Sequence, residues 1–112
     1  MLQIKTSKNT DTIKEIAEFY NEHNEVTLKA EDCLETYSFM VGEEVTTEML
    51  GVDTFSESGL NEGQMILASA FDNPETEDCL IYILYENDNN MIYIYSTLSV
   101  AEDGSFYNIV RY

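Results

Sequence analysis

With 112 residues, 44% of them hydrophobic and 12% aromatic, the chain is long enough to close one core and too apolar for a disordered acidic tail. Its formal net charge of −17 at pH 7 strongly disfavours direct binding to nucleic acid or to an anionic membrane surface, both of which are polyanions. No apolar run approaches membrane-spanning length, and the first thirty residues lack the continuous apolar stretch of a secretory signal, so a cytoplasmic protein is expected.

In chain order, "MLQIKT" alternates Leu2 and Ile4 with polar residues and reads as a short strand, which "SKNT" breaks. "TIKEIAEFYNEHN" is the clearest helix. Ile13, Ile16, Ala17 and Tyr20 form one apolar stripe, Glu15, Glu18 and Glu22 take the opposite face, and Asn24 suits the stop. Thr12 with Glu15 three residues on has the capping-box pattern. "VTLKA" alternates like a strand. Between Glu31 and Val41 the residues Cys33, Leu34, Tyr37, Met40 and Val41 fit a helical face, although "TYSFMV" also has strand composition. Glu31 and Asp32 suit a helix N-terminus, and the reading leans to a short helix there. A single helical turn is expected around "TTEMLGVDT", and "SESGLNEG" reads as loop.

From Gln64 onward the pattern is β: "QMILASAF", "CLIYILYE", "MIYIYSTL" and "FYNIVRY", separated by the turn-rich "DNPETED", "NDNN" and "AEDGS". The expected fold is therefore α+β. It is a single compact domain over residues 1–112, with an N-terminal amphipathic helix packed on a C-terminal antiparallel four-stranded meander and a mixed segment between. A two-residue turn at Asp88-Asn89, or a four-residue loop over Asn87 to Asn90, pairs Ile83 with Ile94 and Tyr85 with Ile92 on one face, and Tyr82 with Tyr95 and Leu84 with Tyr93 on the other. The isoleucine face should meet the helix. The tyrosine face has two readings: the half-covered outer face of a sheet, or a partner-binding platform of Tyr82, Tyr93 and Tyr95.

Charge is unevenly spread. Residues 1–29 hold four lysines against five acids, whereas Ala30 to Val110 holds seventeen acids and no basic residue. Solubility alone does not demand that. Asp72, Glu75, Glu77, Asp78, Glu86, Asp88, Glu102 and Asp103, at the ends of the hairpins, are the candidate acidic rim for a partner.

Chemistry is poorly represented. The one histidine, His23, sits near the end of the first helix, where a positive charge suits the dipole. No phosphate loop, nucleophile elbow or His-containing metal motif occurs, and no enzyme activity is expected. "DNPETED" and "ENDNN" lack the EF-hand order, so neither a metal nor another cofactor is expected. Cys33 and Cys79 have no metal-type spacing; they could form one disulfide, and without a secretory signal they read rather as buried thiols.

Protein binding driven by charge is what remains. Carboxylates two apart on a strand, as Glu75 and Glu77 are expected to be, lie about 7 Å apart, and those four apart on a helix, as expected for Glu31 and Glu35, about 5–6 Å. Such intervals are comparable to the spacing of phosphates. In charge and size the chain resembles acidic inhibitors of viral or mobile-element origin, among them anti-CRISPR and anti-restriction proteins, although no motif identifies a family. The expected partner is a basic protein, a nuclease or other nucleic-acid-binding effector, whose DNA or RNA site is blocked by mimicry. An immunity protein against a basic nuclease toxin uses the same electrostatics. An acidic interaction domain without inhibitory role is the third reading.

Overall fold

The computed structural model describes residues 2–5 and 11–112. The chain is α+β, built on one antiparallel sheet. Strand β1 (Leu2–Lys5) precedes helix α1 (Thr12–His23). Then follow β2 (Cys33–Met40), the short helices α2 (Thr47–Leu50) and α3 (Phe55–Ser58), and the strands β3 (Met65–Asp72), β4 (Leu80–Asp88), β5 (Met91–Val100) and β6 (Phe106–Arg111). The sheet is larger than the expected meander. Strands β3 to β6 pair in succession, β2 extends the sheet beyond β3, and β1 returns to β5. The outer edge of β5 is divided: β1 takes Met91 to Ile94, and β6 takes Ser96 to Val100. The expected break at "SKNT" lies outside the described residues.

Helix α1 forms where its apolar stripe indicated, with Ile16, Ala17 and Phe19 buried. Its cap is Asp11, not Thr12: the Asp11 carboxylate accepts from the Ile13 N–H at 3.0 Å, and the Thr12 hydroxyl instead meets the Asn87 amide at 3.1 Å. Asn24 follows in extended conformation and ends the helix, as expected. Residues 26–29 are not a strand. The Asn21 side chain accepts from the Leu28 N–H at 2.7 Å and donates to its carbonyl at 2.9 Å, satisfying both groups without a ladder.

The short helix expected after Glu31 is also corrected. Those acids lie in a single 3-10 turn (Ala30–Asp32), and Cys33–Met40 is an edge strand paired with β3. Helical and strand patterns coincide in this stretch, and only pairing with a neighbour separates them. "SESGLNEG" begins helical, because α3 includes Ser56, Glu57 and Ser58 before Gly59 turns the chain at φ 81°. The single turn expected near Thr47 is α2, capped by Thr46 and closed by Gly51 at φ 66°.

The β4–β5 register differs from the expected one. The turn is Asn89-Asn90, with φ of 46° and 66°, so Asp88 pairs with Met91 and Tyr85 with Ile94. A two-residue hairpin turn of this type needs positive φ at both positions, and asparagine tolerates it better than the Asp88-Asn89 pair would. Beyond Tyr85 the ladder shifts: Leu84 pairs with Ser96, leaving Tyr95 as the extra residue of a β-bulge. The bulge changes which side the following residues take. Ile92 and Ile94 lie in the helix-side core, whereas Leu98 and Val100 pack on the opposite side.

Two cores result, one on each face of the sheet. Ile16, Ala17, Phe19 and Leu28 pack with Phe71, Ile81, Ile83, Tyr85, Ile92 and Ile94, so the isoleucine face meets α1 as expected. On the other face Val41, Val45, Met49, Leu50 and Leu60 pack with Ile66, Leu84, Tyr95 and Leu98. Full burial of each large apolar side chain contributes about 1.5–3 kcal/mol. Residues 41–60 cover the tyrosine face more fully than the half-covered reading expects: Tyr95 is buried and its hydroxyl bonds Glu86, while Tyr82 and Tyr93 are half-buried.

Candidate acidic interface

Antiparallel connectivity sorts the acidic residues. The β3–β4 and β5–β6 turns fall at one end of the sheet, and the β4–β5 turn at the other. At the first end, the Asn73 side chain accepts from the N–H groups of Glu75 (2.9 Å) and Thr76 (3.2 Å), and the Asn73 N–H closes the loop on the Cys79 carbonyl at 3.2 Å. This small frame holds Glu75, Glu77 and Asp78 exposed beside exposed Asp72. Asp78 adopts φ 63°, a left-handed conformation that aspartate accepts more readily than most residues.

The neighbouring β5–β6 turn is just as firmly built. Gly104 (φ 88°) donates to the Ala101 carbonyl at 2.9 Å, and the Ala101 N–H donates to Ser105 at 2.9 Å. The Asp103 carboxylate accepts from the Ser105 hydroxyl at 2.6 Å and from its N–H at 2.9 Å. The hydroxyl bond, followed by the backbone bond, holds Asp103 below the usual carboxylate range and keeps it charged. Glu102 beside it is exposed.

Six of the eight rim residues thus share one end. Glu86 and Asp88 do not join them, because they lie at the far end of β4. Nine strand residues span about 30 Å. Asp88 is exposed at that end. Glu86 is half-buried, accepting from the Tyr95 hydroxyl and, at 2.9 Å, from the Gln64 amide, which makes it a structural carboxylate. The rim expected as one feature is divided between two ends.

Of the platform tyrosines, Tyr95 is only 6% exposed, and its hydroxyl is pushed far above its ordinary pKa, first by burial and then by the Glu86 carboxylate. Tyr82 and Tyr93 are half-buried and pack against the second core.

Two clefts flank the 73–79 loop. One, of about 550 Å³, is lined by Asp72, Asn73, Thr76, Glu77, Asp78, Cys79 and Leu80. The other, of about 370 Å³, lies between this loop, the end of α1 and β6, and its lining includes Tyr20, Asn24, Glu25, Glu75, Ser99 and Tyr107. Sequence reasoning placed Tyr20 only on the helix stripe and gave Glu25 and Tyr107 no role. They are distant in sequence, and no local signal brings them together.

The His23 ring contacts Phe19 with centroids 4.3 Å apart, and its Nδ1 bonds the Phe19 carbonyl at 2.9 Å. Cys33 and Cys79 are free and half-buried. Among the described residues, no three His, Cys, Asp or Glu side chains are grouped to hold a metal ion. All acidic side chains except Glu15, Asp32 and Glu86 are exposed. The ion pairs among the described residues are Lys29–Glu31 at 4.0 Å and Arg111–Glu57 at 3.5 Å, both at the surface. Among the described residues, no ion pair compensates the carboxylates at the 73–79 end.

No protein-family model matches the chain, and comparison with curated proteins and with solved structures finds no match to either.

Proposed function

We propose that the protein is a non-enzymatic inhibitor that binds a basic nucleic-acid-binding protein in the cytoplasm and blocks its DNA or RNA site by charge mimicry. The observation that carries this reading is the group of six exposed carboxylates, Asp72, Glu75, Glu77, Asp78, Glu102 and Asp103, on two hydrogen-bonded turns of one sheet end. They lie in a sequence without a basic residue from Ala30 to Val110. A cleft built to grip a polyanion is lined with lysine and arginine, and a fixed set of carboxylates is complementary to it. Anchoring them on turns costs less ordering entropy on binding than a flexible acidic tail would. A phage or mobile-element origin is in keeping with this role.

The test is capture of partners by the immobilised protein at low and high salt, identified by mass, followed by competition against the partner's own nucleic acid. The expected partner is a nuclease or other nucleic-acid effector that high salt releases and that loses its nucleic acid as inhibitor is added. A ternary complex, with nucleic acid and protein both fully bound, would sink the mimicry.

A further inference from the structure

We propose that the cleft between the end of α1 and the 73–79 loop is a guanidinium socket that receives one arginine side chain. That the arginine belongs to a basic protein partner rests on the function proposed above. The socket itself stands on its lining.

Two acidic residues, Glu25 and Glu75, line the cleft from segments far apart in the chain, and neither is in an ion pair among the described residues. Two aromatic residues line it with them, Tyr20 from α1 and Tyr107 from β6. The Tyr107 phenol lies beside the Cys79 thiol, which pushes it above its ordinary value, so it stays a neutral hydroxyl. Tyr20 is half-buried, and its phenol is raised first by burial and then by Tyr112, Glu75 and Tyr107, so it stays a neutral hydroxyl beside the Glu75 charge. Asn24 donates its amide to the Tyr20 carbonyl at 3.0 Å, leaving its own side-chain oxygen as an acceptor. The cleft holds about 370 Å³, the liquid volume of roughly a dozen waters, enough for a side-chain head group.

This chemistry selects among ligands. An anion is repelled by Glu25 and Glu75. A bare metal ion lacks a third carboxylate, thiol or imidazole, since no group of three occurs among the described residues. A planar cation with donors on several edges satisfies both carboxylates and the amide oxygen while lying against a tyrosine ring. That is a guanidinium, whose weak hydration and flat faces distinguish it from an ammonium.

The probe is Nα-acetyl-arginine methylamide, titrated into the full isotope-labelled chain and followed by amide and aromatic NMR shifts. The lysine and citrulline analogues serve as the cationic and the neutral comparison. Arginine is expected to give saturable shifts confined to the Asn24 side chain, Thr76, Ser99 and the Tyr107 ring, with a Kd on the order of 1 mM. Lysine should bind at least about threefold more weakly, and citrulline not measurably. The Glu25→Gln/Glu75→Gln variant should lose the saturable response, and Glu43→Gln/Glu62→Gln should keep it. Both pairs are exposed, and each single variant provides the same reading if a double variant misfolds. Shifts spread equally over Glu43, Glu44 and Glu62, or an equal response to citrulline, would overturn the socket. Capture of a basic partner without the arginine response overturns the socket alone and leaves the inhibitor reading in place. A saturable arginine response without any basic partner supports the socket and removes the inhibitor reading.

Discussion

The Tyr95 hydroxyl donates a short hydrogen bond to the Glu86 carboxylate, joining the extra residue of the β5 bulge to the neighbouring strand. Gln64 donates to the same oxygen at 2.9 Å from the start of β3, so three elements converge on one half-buried carboxylate. The bulge changes the facing of β5, and this bond ties the bulged residue to β4.

The bond has a pH signature. Burial, then Glu86, raises the Tyr95 phenol above its ordinary value, and burial also raises Tyr85. The folded chain then keeps phenolic protons that the unfolded chain loses above about pH 10. The stability they contribute is fully present below that pH and is lost as pH rises through the folded values. Thermal unfolding at pH 8, 10 and 11 should show a midpoint that falls chiefly between pH 10 and 11. Tyr95→Phe should lower the midpoint at pH 8, by about 1 kcal/mol of lost hydrogen bonding, and fall less steeply at alkaline pH.

A second prediction concerns the hairpin tip. Asn89 and Asn90 both hold positive φ, at 46° and 66°. Glycine at the second position of such a turn removes the Cβ strain without altering the pairing of Asp88 with Met91. Asn90→Gly should stabilise the protein by about 0.5 kcal/mol, read from urea unfolding at unchanged slope. A loss of stability would mean that the Asn90 side chain contributes more than the strain it carries.

Much of this fold was legible locally. Alternation located the four strands after Gln64, and the stripe from Ile13 to Tyr20 located α1. The features that escaped depend on distant partners. Cys33 to Met40 satisfies both periodicities, and β3 decides between them. The bulge at Tyr95 has no sequence mark, because the extra residue is itself an ordinary strand former. The acidic surface was legible as composition but not as geometry. Turn order assigns Glu86 to the far end, and packing makes it a structural carboxylate. The Tyr20–Tyr107 cleft joins residues 87 positions apart and is visible only once β6 lies along β5.

Self-repulsion among the acids should be measurable in the free protein. With a net charge of −17 and the acids largely exposed, the folded chain concentrates like charges that the unfolded chain separates. Raising sodium chloride from 10 mM to 500 mM shortens the screening length from about 30 Å to a few ångströms. The melting midpoint should rise by about 4–8 °C for each kcal/mol of repulsion screened. A midpoint independent of salt would show that the acids are too far apart to strain the fold.

The division of the acids into two ends makes the last prediction directional. If one end meets the basic partner, neutralising the other end should matter little. Glu77→Gln, Asp78→Asn and Glu102→Gln act at the 73–79 end without touching the tyrosine cleft. Glu43→Gln, Glu62→Gln and Asp88→Asn change the same number of charges elsewhere, and all six side chains are exposed. Exposed ion pairs contribute about 0.2–1 kcal/mol each, so the first set should weaken binding of the captured partner by roughly tenfold. It should also flatten the salt dependence of the affinity, whereas the second set should leave both nearly unchanged. Isothermal titration at three salt concentrations measures the two effects together. Equal weakening by both sets would mean that the partner senses total charge, and the localised acidic end would have to be abandoned as the interface.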